Sequence, residues 1–256
     1  MLFDTHAHLN DEAFNDDLEE IVKELKNENF DGVVNIGYDL ESSLKAVDLS
    51  KNTDFFYVAV GLHPHDSKDY NQILENEFIK LVRDNDKVVA YGEIGLDYYY
   101  DNSPREIQKE VFKRQIKVAN MLNKPIIVHS RDAIKDTYDI LNENLNGNTG
   151  IIHSCSASAE MVKEFVKLGL FISFSGSVTF KNADNVRNAA KAVPLDRILI
   201  ETDCPYLTPV PYRGKRNTPA YVKFTAEKLA EIHGLSYEEI VSITSENAKR
   251  IFNINN

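Results

Sequence analysis

Tryptophan is missing from this chain, and cysteine nearly so, with only Cys155 and Cys204 present. Two thiols far apart in a chain of this size make no disulfide framework and fit a reducing, cytosolic setting. No apolar run approaches the roughly 20 residues that a membrane-spanning helix requires. No cleavable leader is visible either, because Met1-Leu2-Phe3 runs straight into Asp4-Thr5-His6-Ala7-His8. Positive charge is scarce: 29 Lys and Arg stand against 40 Asp and Glu, a net of -11. Such a surface does not coat polyanions, so a nucleic-acid substrate would need metal ions or a local basic patch to supply positive charge. Linkers, repeats and low-complexity tracts are also lacking. Residues 1-256 therefore read as one domain, and 43% hydrophobic residues are ample for its core.

What is present is an alternation. Apolar β-type runs at Val33-Ile36, Phe55-Gly61, Val88-Ile94, Pro125-His129, Gly150-His153, Leu170-Phe174 and Arg197-Glu201 follow the amino-terminal run. Between them lie stretches with helical spacing, such as Phe14, Leu18, Ile21, Val22 and Leu25, or Ile107, Val111, Phe112, Val118, Ala119 and Leu122. A helical tail runs from Thr218 to Phe252, broken near Gly234. Eight strand-helix units predict an α/β fold, a single (β/α)8 TIM barrel with an additional C-terminal helix. An open doubly wound sheet shares the alternation, but no Gly-x-Gly-x-x-Gly follows the first strand.

In such a barrel the carboxyl ends of the strands carry the chemistry. His6 and His8 end the first strand, and alternation of side chains places them, with Asp4, on one face. Glu93 ends the fourth strand, His129 the fifth and His153 the sixth, and Asp203 follows the eighth. One buried polar residue at such a place is commonplace, but four histidines and two carboxylates together predict a metal site. They are too many for one tetrahedral ion and suit two divalent ions, Mg2+, Mn2+ or Zn2+. In this reading His6, His8 and Asp203 serve one ion, His129 and His153 the other, and Glu93 bridges them. Asp203 is then also placed to take a proton from the attacking water, and Asp4 either orients a ligand imidazole or is purely structural.

Five segments carry a resemblance: Asp4-Thr5-His6-Ala7-His8-Leu9, Gly61-Leu62-His63-Pro64-His65, Gly92-Glu93-Ile94-Gly95-Leu96-Asp97-Tyr98, Pro125-Ile126-Ile127-Val128-His129-Ser130-Arg131 and Glu201-Thr202-Asp203-Cys204-Pro205-Tyr206. In this order they span nearly the whole chain, which resembles the TatD family of metal-dependent deoxyribonucleases within the amidohydrolase-like barrel superfamily. The resemblance implies metal ligation by His6, His8, Glu93, His129, His153 and Asp203. It also implies hydrolysis of DNA, from single strands or 3′ ends, as a 3′-5′ exonuclease. One segment departs from that family: Ser154-Cys155-Ser156-Ala157 stands where Cys-Phe-Ser-Gly is usual.

Around this set, Arg213-Gly214-Lys215-Arg216 is the densest basic run, and Arg213, Lys215 and Arg216 are candidates to grip substrate phosphates. Arg131 is placed to stabilise phosphate charge, and His65 to touch substrate. Tyr98, Tyr99 and Tyr100 offer rings on which unpaired bases could stack, although packing is the commoner use of an aromatic cluster. His233 reads as a helix-end residue, and Cys155 and Cys204 as buried small side chains. The alternative activity on this scaffold is hydrolysis or deamination of small cyclic amides. Many enzymes of that kind bridge their metals with a carboxylated lysine where this chain has Glu93. A binding module with a fossil site would not retain all six ligands. A soluble, cytoplasmic monomer with no membrane partner is expected.

Overall fold

The structure, a computed structural model, describes residues 1-28, 30-51 and 53-254. Among these the chain alternates β1 (Leu2–Ala7), α1 (Leu18–Asn27), β2 (Phe30–Ile36), α2 (Leu40–Ser50), β3 (Phe56–Val60), α3 (Gln72–Asp84), β4 (Val88–Asp97) and α4 (Arg105–Leu122). It continues with β5 (Ile126–Arg131), α5 (Ile134–Asn144), β6 (Gly150–Ile152), α6 (Ala159–Lys167), β7 (Phe171–Phe174), α7 (Asp184–Ala192), β8 (Ile198–Ile200), α8 (Val222–His233) and α9 (Tyr237–Phe252). The strands lie in sequence order, each parallel to the next. Backbone bonds close the ring where the last strand meets the first: Asp203 N donates to His6 O at 2.8 Å and His8 N to Cys204 O at 2.9 Å. The fold is a (β/α)8 TIM barrel, as the alternation predicts.

Parallel strands covered on both faces need apolar residues on both, and all ten residues of β4 are buried. One apolar cluster, including Phe3, Val34, Ala59, Val89, Ile127, Ile151, Phe171 and Leu199, fills the barrel. Ile251 and Phe252 of α9 join it, and Phe252 stacks on Phe3 with ring centroids 6.0 Å apart. The additional helix therefore plugs the amino-terminal end. Outside, Val33, Val58 and Val88 meet helix residues such as Leu25, Phe78, Phe112 and Leu229. The tail breaks at Gly234, whose φ of +67° caps α8, and Ser236 with Glu239 forms a capping box that starts α9. His233 is the last residue of α8, and burial holds its pKa below the usual imidazole value.

Two details position the site. β4 runs to Asp97, beyond its expected end at Ile94, so Glu93 sits within the strand. Its pairing with β5 slips between Tyr91 and Ile94, the kind of irregularity that re-aims a side chain. β1 slips likewise between Asp4 and Ala7. Strict alternation is lost there, and Asp4 does not share the pocket of His6 and His8.

Candidate metal centre

The closing seam brings the first group together. His6 Nε2 and His8 Nε2 lie 3.2 Å apart, and Asp203 Oδ1 is 3.6 Å from the former and 3.4 Å from the latter. Ligands at the usual 2.0–2.2 Å from a divalent ion stand about 3.0–3.5 Å from one another, so these spacings match the edges of a coordination polyhedron. Glu93 extends the group: its Oε2 is 3.5 Å from His6 Nε2. Its Oε1 is 2.8 Å from His129 Nδ1, 2.9 Å from His153 Nε2 and 3.7 Å from His63 Nε2. Among the described residues three sets of potential ligands result: His6, His8 and Asp203; His6, Glu93 and His153; and His63, Glu93 and His129. Glu93 belongs to two of them, with Oε2 towards His6 and Oε1 towards His153, His129 and His63.

The outer partners decide which ring nitrogens carry lone pairs. His8 Nδ1 faces Ile36 O at 3.3 Å and His153 Nδ1 faces Glu201 Oε1 at 3.2 Å, so both donate there and leave Nε2 unprotonated. His129 is turned the other way, with Nε2 donating to Asp97 Oδ2 at 3.1 Å and Nδ1 left for Glu93. Nitrogen lone pairs then confront carboxylate oxygens at under 3 Å for His129 and His153. That arrangement is repulsive unless protons or metal cations lie among them. The donor set therefore fits divalent metal.

The electrostatics agree. Burial pushes the Glu93 carboxyl up, but His153, His63 and His129 outweigh it and hold it well below the usual range. Burial likewise opposes ionisation of Asp203, and His8 and His6 overcome it. Burial disfavours charge on His153, yet Glu93 and Glu201 raise it well above the ordinary imidazole value. His129 is raised against burial by Asp97 and Glu93, and His8 by Asp203. His6 is lowered, chiefly by burial. Without metal, protons on these rings would supply the positive charge that the carboxylates demand.

All six predicted ligands thus meet. His63, given no ligand role from the sequence, joins them, and its His-Pro-His spacing was the available signal. Two carboxylates went unrecognised. Glu201 lies wholly buried behind His153 and accepts from Ser154 N at 2.7 Å. Asp97 Oδ2 is 3.1 Å from both His129 Nε2 and His65 Nε2. Asp4 orients no imidazole: its carboxylate takes Thr202 N at 2.9 Å, the Thr202 hydroxyl and His6 N, latching β1 to the chain beyond β8. In the altered loop, Cys155 and Ala157 are buried and Ser154 Oγ meets Ser175 Oγ at 2.9 Å.

The substrate candidates divide. His65 sits beside the cluster through Asp97. Arg131 lies over Tyr99 and Tyr100, Arg213 over Phe180 at 3.7 Å and Lys215 over Tyr212 at 5.4 Å. Arg216 departs from the expectation. Its fork bonds Asp17, with Nη1 at 2.9 Å from Oδ1 and Nη2 on Oδ2, and its plane lies over Phe14. It pins the basic loop to the segment after β1 rather than presenting charge to a phosphate. Tyr38 and the exposed Tyr206 flank His8, at 5.8 and 6.3 Å between ring centroids.

Residues 3–253 match the family described as TatD related DNase. The chain belongs to that family. It is 49% identical over 256 residues to the metal-dependent hydrolase YabD of Bacillus subtilis, with 100% of both chains covered. It is 38% identical to YcfH of Escherichia coli K12, also named a metal-dependent hydrolase, covering 99% of this chain and 96% of that one. Among solved structures, the TatD homologue YJJV of Escherichia coli superposes with a TM-score of 0.93 at 26% identity, covering 99% and 98%. A Saccharomyces cerevisiae protein described as an amidohydrolase shares the fold, with a TM-score of 0.83 at 18% identity over 98% and 99%. No described helix of this TatD-family chain is long and apolar enough to cross a membrane.

Proposed function

We propose that this metal-dependent hydrolase of the TatD family cleaves phosphodiester bonds of DNA, in single strands or at 3′ ends. The observation that carries the reading is the shared Glu93 carboxylate, with one oxygen towards His6 and the other towards His129 and His153. His6, His8 and Asp203 would hold one divalent ion and His129 and His153 a second, with Glu93 between. Ions bound there would lower the pKa of a bound water and polarise phosphoryl oxygens. Asp203, partly open to solvent at 15% side-chain exposure, would accept the proton of the attacking water. Asp97 and Glu201 keep the His129 and His153 rings in orientation and tautomer. Arg131, Arg213 and Lys215 supply positive charge that an otherwise acidic surface lacks, and the family description supports DNA as the substrate.

The test pairs elemental analysis of the purified protein with a time-resolved digestion ladder on end-labelled single-stranded DNA in Mg2+, Mn2+ or Zn2+. Bound metal and stepwise shortening from the 3′ end are expected, both abolished in a folded Glu93→Ala variant. DNA left intact in all three metals, alongside turnover of a dihydropyrimidine-type cyclic amide, would overturn this reading in favour of amide chemistry.

A further inference from the structure

Three consecutive tyrosines leave the end of β4, and they divide. Tyr98 is packed, with its hydroxyl 2.7 Å from Asp136 Oδ2 and Arg105 over its ring at 4.5 Å. Tyr99 and Tyr100 stay 60% and 54% exposed, their rings edge to face at 5.0 Å. Arg131, at the end of β5, sets its guanidinium 4.0 Å from the Tyr99 centroid and 4.8 Å from that of Tyr100. Large rings facing water forgo the free energy of burial, so their exposure beside a catalytic cluster calls for an occupant.

The backbone beneath these rings is held firmly. Tyr99 N and Tyr100 N donate to Asp97 Oδ1 at 3.0 and 2.9 Å. The other oxygen of the same buried carboxylate takes His65 and His129. His65 in turn stands edge-on to Tyr100 at 5.2 Å between centroids. One carboxylate thus fixes the backbone that carries the exposed rings and a proposed metal ligand in a single frame, and a surface on so firm a base binds with less ordering cost.

We propose that Tyr99, Tyr100 and Arg131 form a subsite for an unpaired nucleobase next to the scissile phosphate. The flat base stacks on the face of one tyrosine with the other ring standing across its edge, and Arg131 packs with them and meets the flanking phosphate. A base paired within a duplex keeps its faces covered by its neighbours, so the subsite selects frayed ends and single strands. The inference deepens the nuclease reading and rests on it for the position of the phosphate.

Its test does not depend on turnover. A single-stranded oligodeoxynucleotide carrying 2-aminopurine is titrated into the full-length protein in EDTA. Stacking quenches the fluorescence of the wild type. The double variant Tyr99→Ala/Tyr100→Ala loses the quench and binds about tenfold more weakly, the loss expected for one stacked base. The double variant Tyr99→Phe/Tyr100→Phe keeps both, since stacking needs no hydroxyl, and this controls for folding. Replacing the reporter by an abasic site weakens the wild type but not the alanine variant. Equal quench and equal affinity in wild type and alanine variant would overturn the subsite. Should no metal support cleavage while the quench pattern holds, the subsite stands and the nuclease reading fails.

Discussion

Gly95 offers a sharp test of how the backbone builds this site. Its φ of +146° lies where a residue with a β-carbon is strained by about 1–3 kcal/mol. A β-carbon there would also lie 2.0 Å from His129 O, 2.9 Å from His129 C and 3.0 Å from His129 N. These are backbone atoms of the paired strand and cannot rotate away, so β4 and β5 must part. Parting them weakens the flanking ladder bonds, at about 1 kcal/mol each. Gly95→Ala should therefore cost about 4 kcal/mol. For a chain of this size that is a fall of roughly 8–16 °C in Tm. Gly169 is the control: its φ is +87° and no atom lies within 4 Å of where a methyl group would sit, so Gly169→Ala meets only the backbone strain. Thermal unfolding by circular dichroism in EDTA separates the two. Equal Tm losses for both variants would refute the argument that the close approach at His129 demands glycine.

The other expectations concern single side chains. Asp97→Asn keeps an acceptor for Tyr99 N and Tyr100 N but removes the carboxylate behind His129, so metal affinity should fall about 10–100-fold in a calorimetric titration; unchanged affinity would free His129 from that partner. Arg216→Ala should cost at most about 1 kcal/mol and leave KM for DNA unchanged, because its fork already serves Asp17; a raised KM would return Arg216 to the substrate. Burial pushes the Glu75 carboxyl up, but hydrogen bonds from Arg114, Gln72 and Tyr70 outweigh it and hold it below 4.5. A carboxyl lowered by folding adds stability that is full above its unfolded pKa and is lost as pH falls through the folded one. Arg114→Ala should thus cost about 1–2 kcal/mol at pH 7, and the difference should shrink in acid below the lowered pKa to what the Gln72 and Tyr70 contacts of Arg114 retain; a Tm difference undiminished there would contradict the pairing.

Much of the architecture was legible along the chain because it depends on local periodicity. Buried runs such as Val33-Ile36 and Gly150-His153 can satisfy their backbones only as strands covered on both sides, and the helices between them carry apolar stripes of period 3.6. The six ligand candidates were legible for a related reason: strand ends are where this fold gathers chemistry, so residue type and position together sufficed to pick them out. Boundaries and partners were less so. Glu93 read as the end of β4, whereas the strand continues past a slip in register to Asp97. Arg216 read as a free cation until Asp17, near the other end of the chain, proved to hold it.

The amino-acid sequence by itself determined the barrel, the placing of histidines and acids at its strand ends, and the scarcity of positive charge that makes metal useful. Only the tertiary structure decided that His63 joins the cluster, that Asp97 and Glu201 stand behind His129 and His153, and that Tyr99 and Tyr100 remain open beside them. Periodicity acts over a few residues, whereas these relations arise when ring closure and strand register bring remote segments together, as with His153 and Glu201.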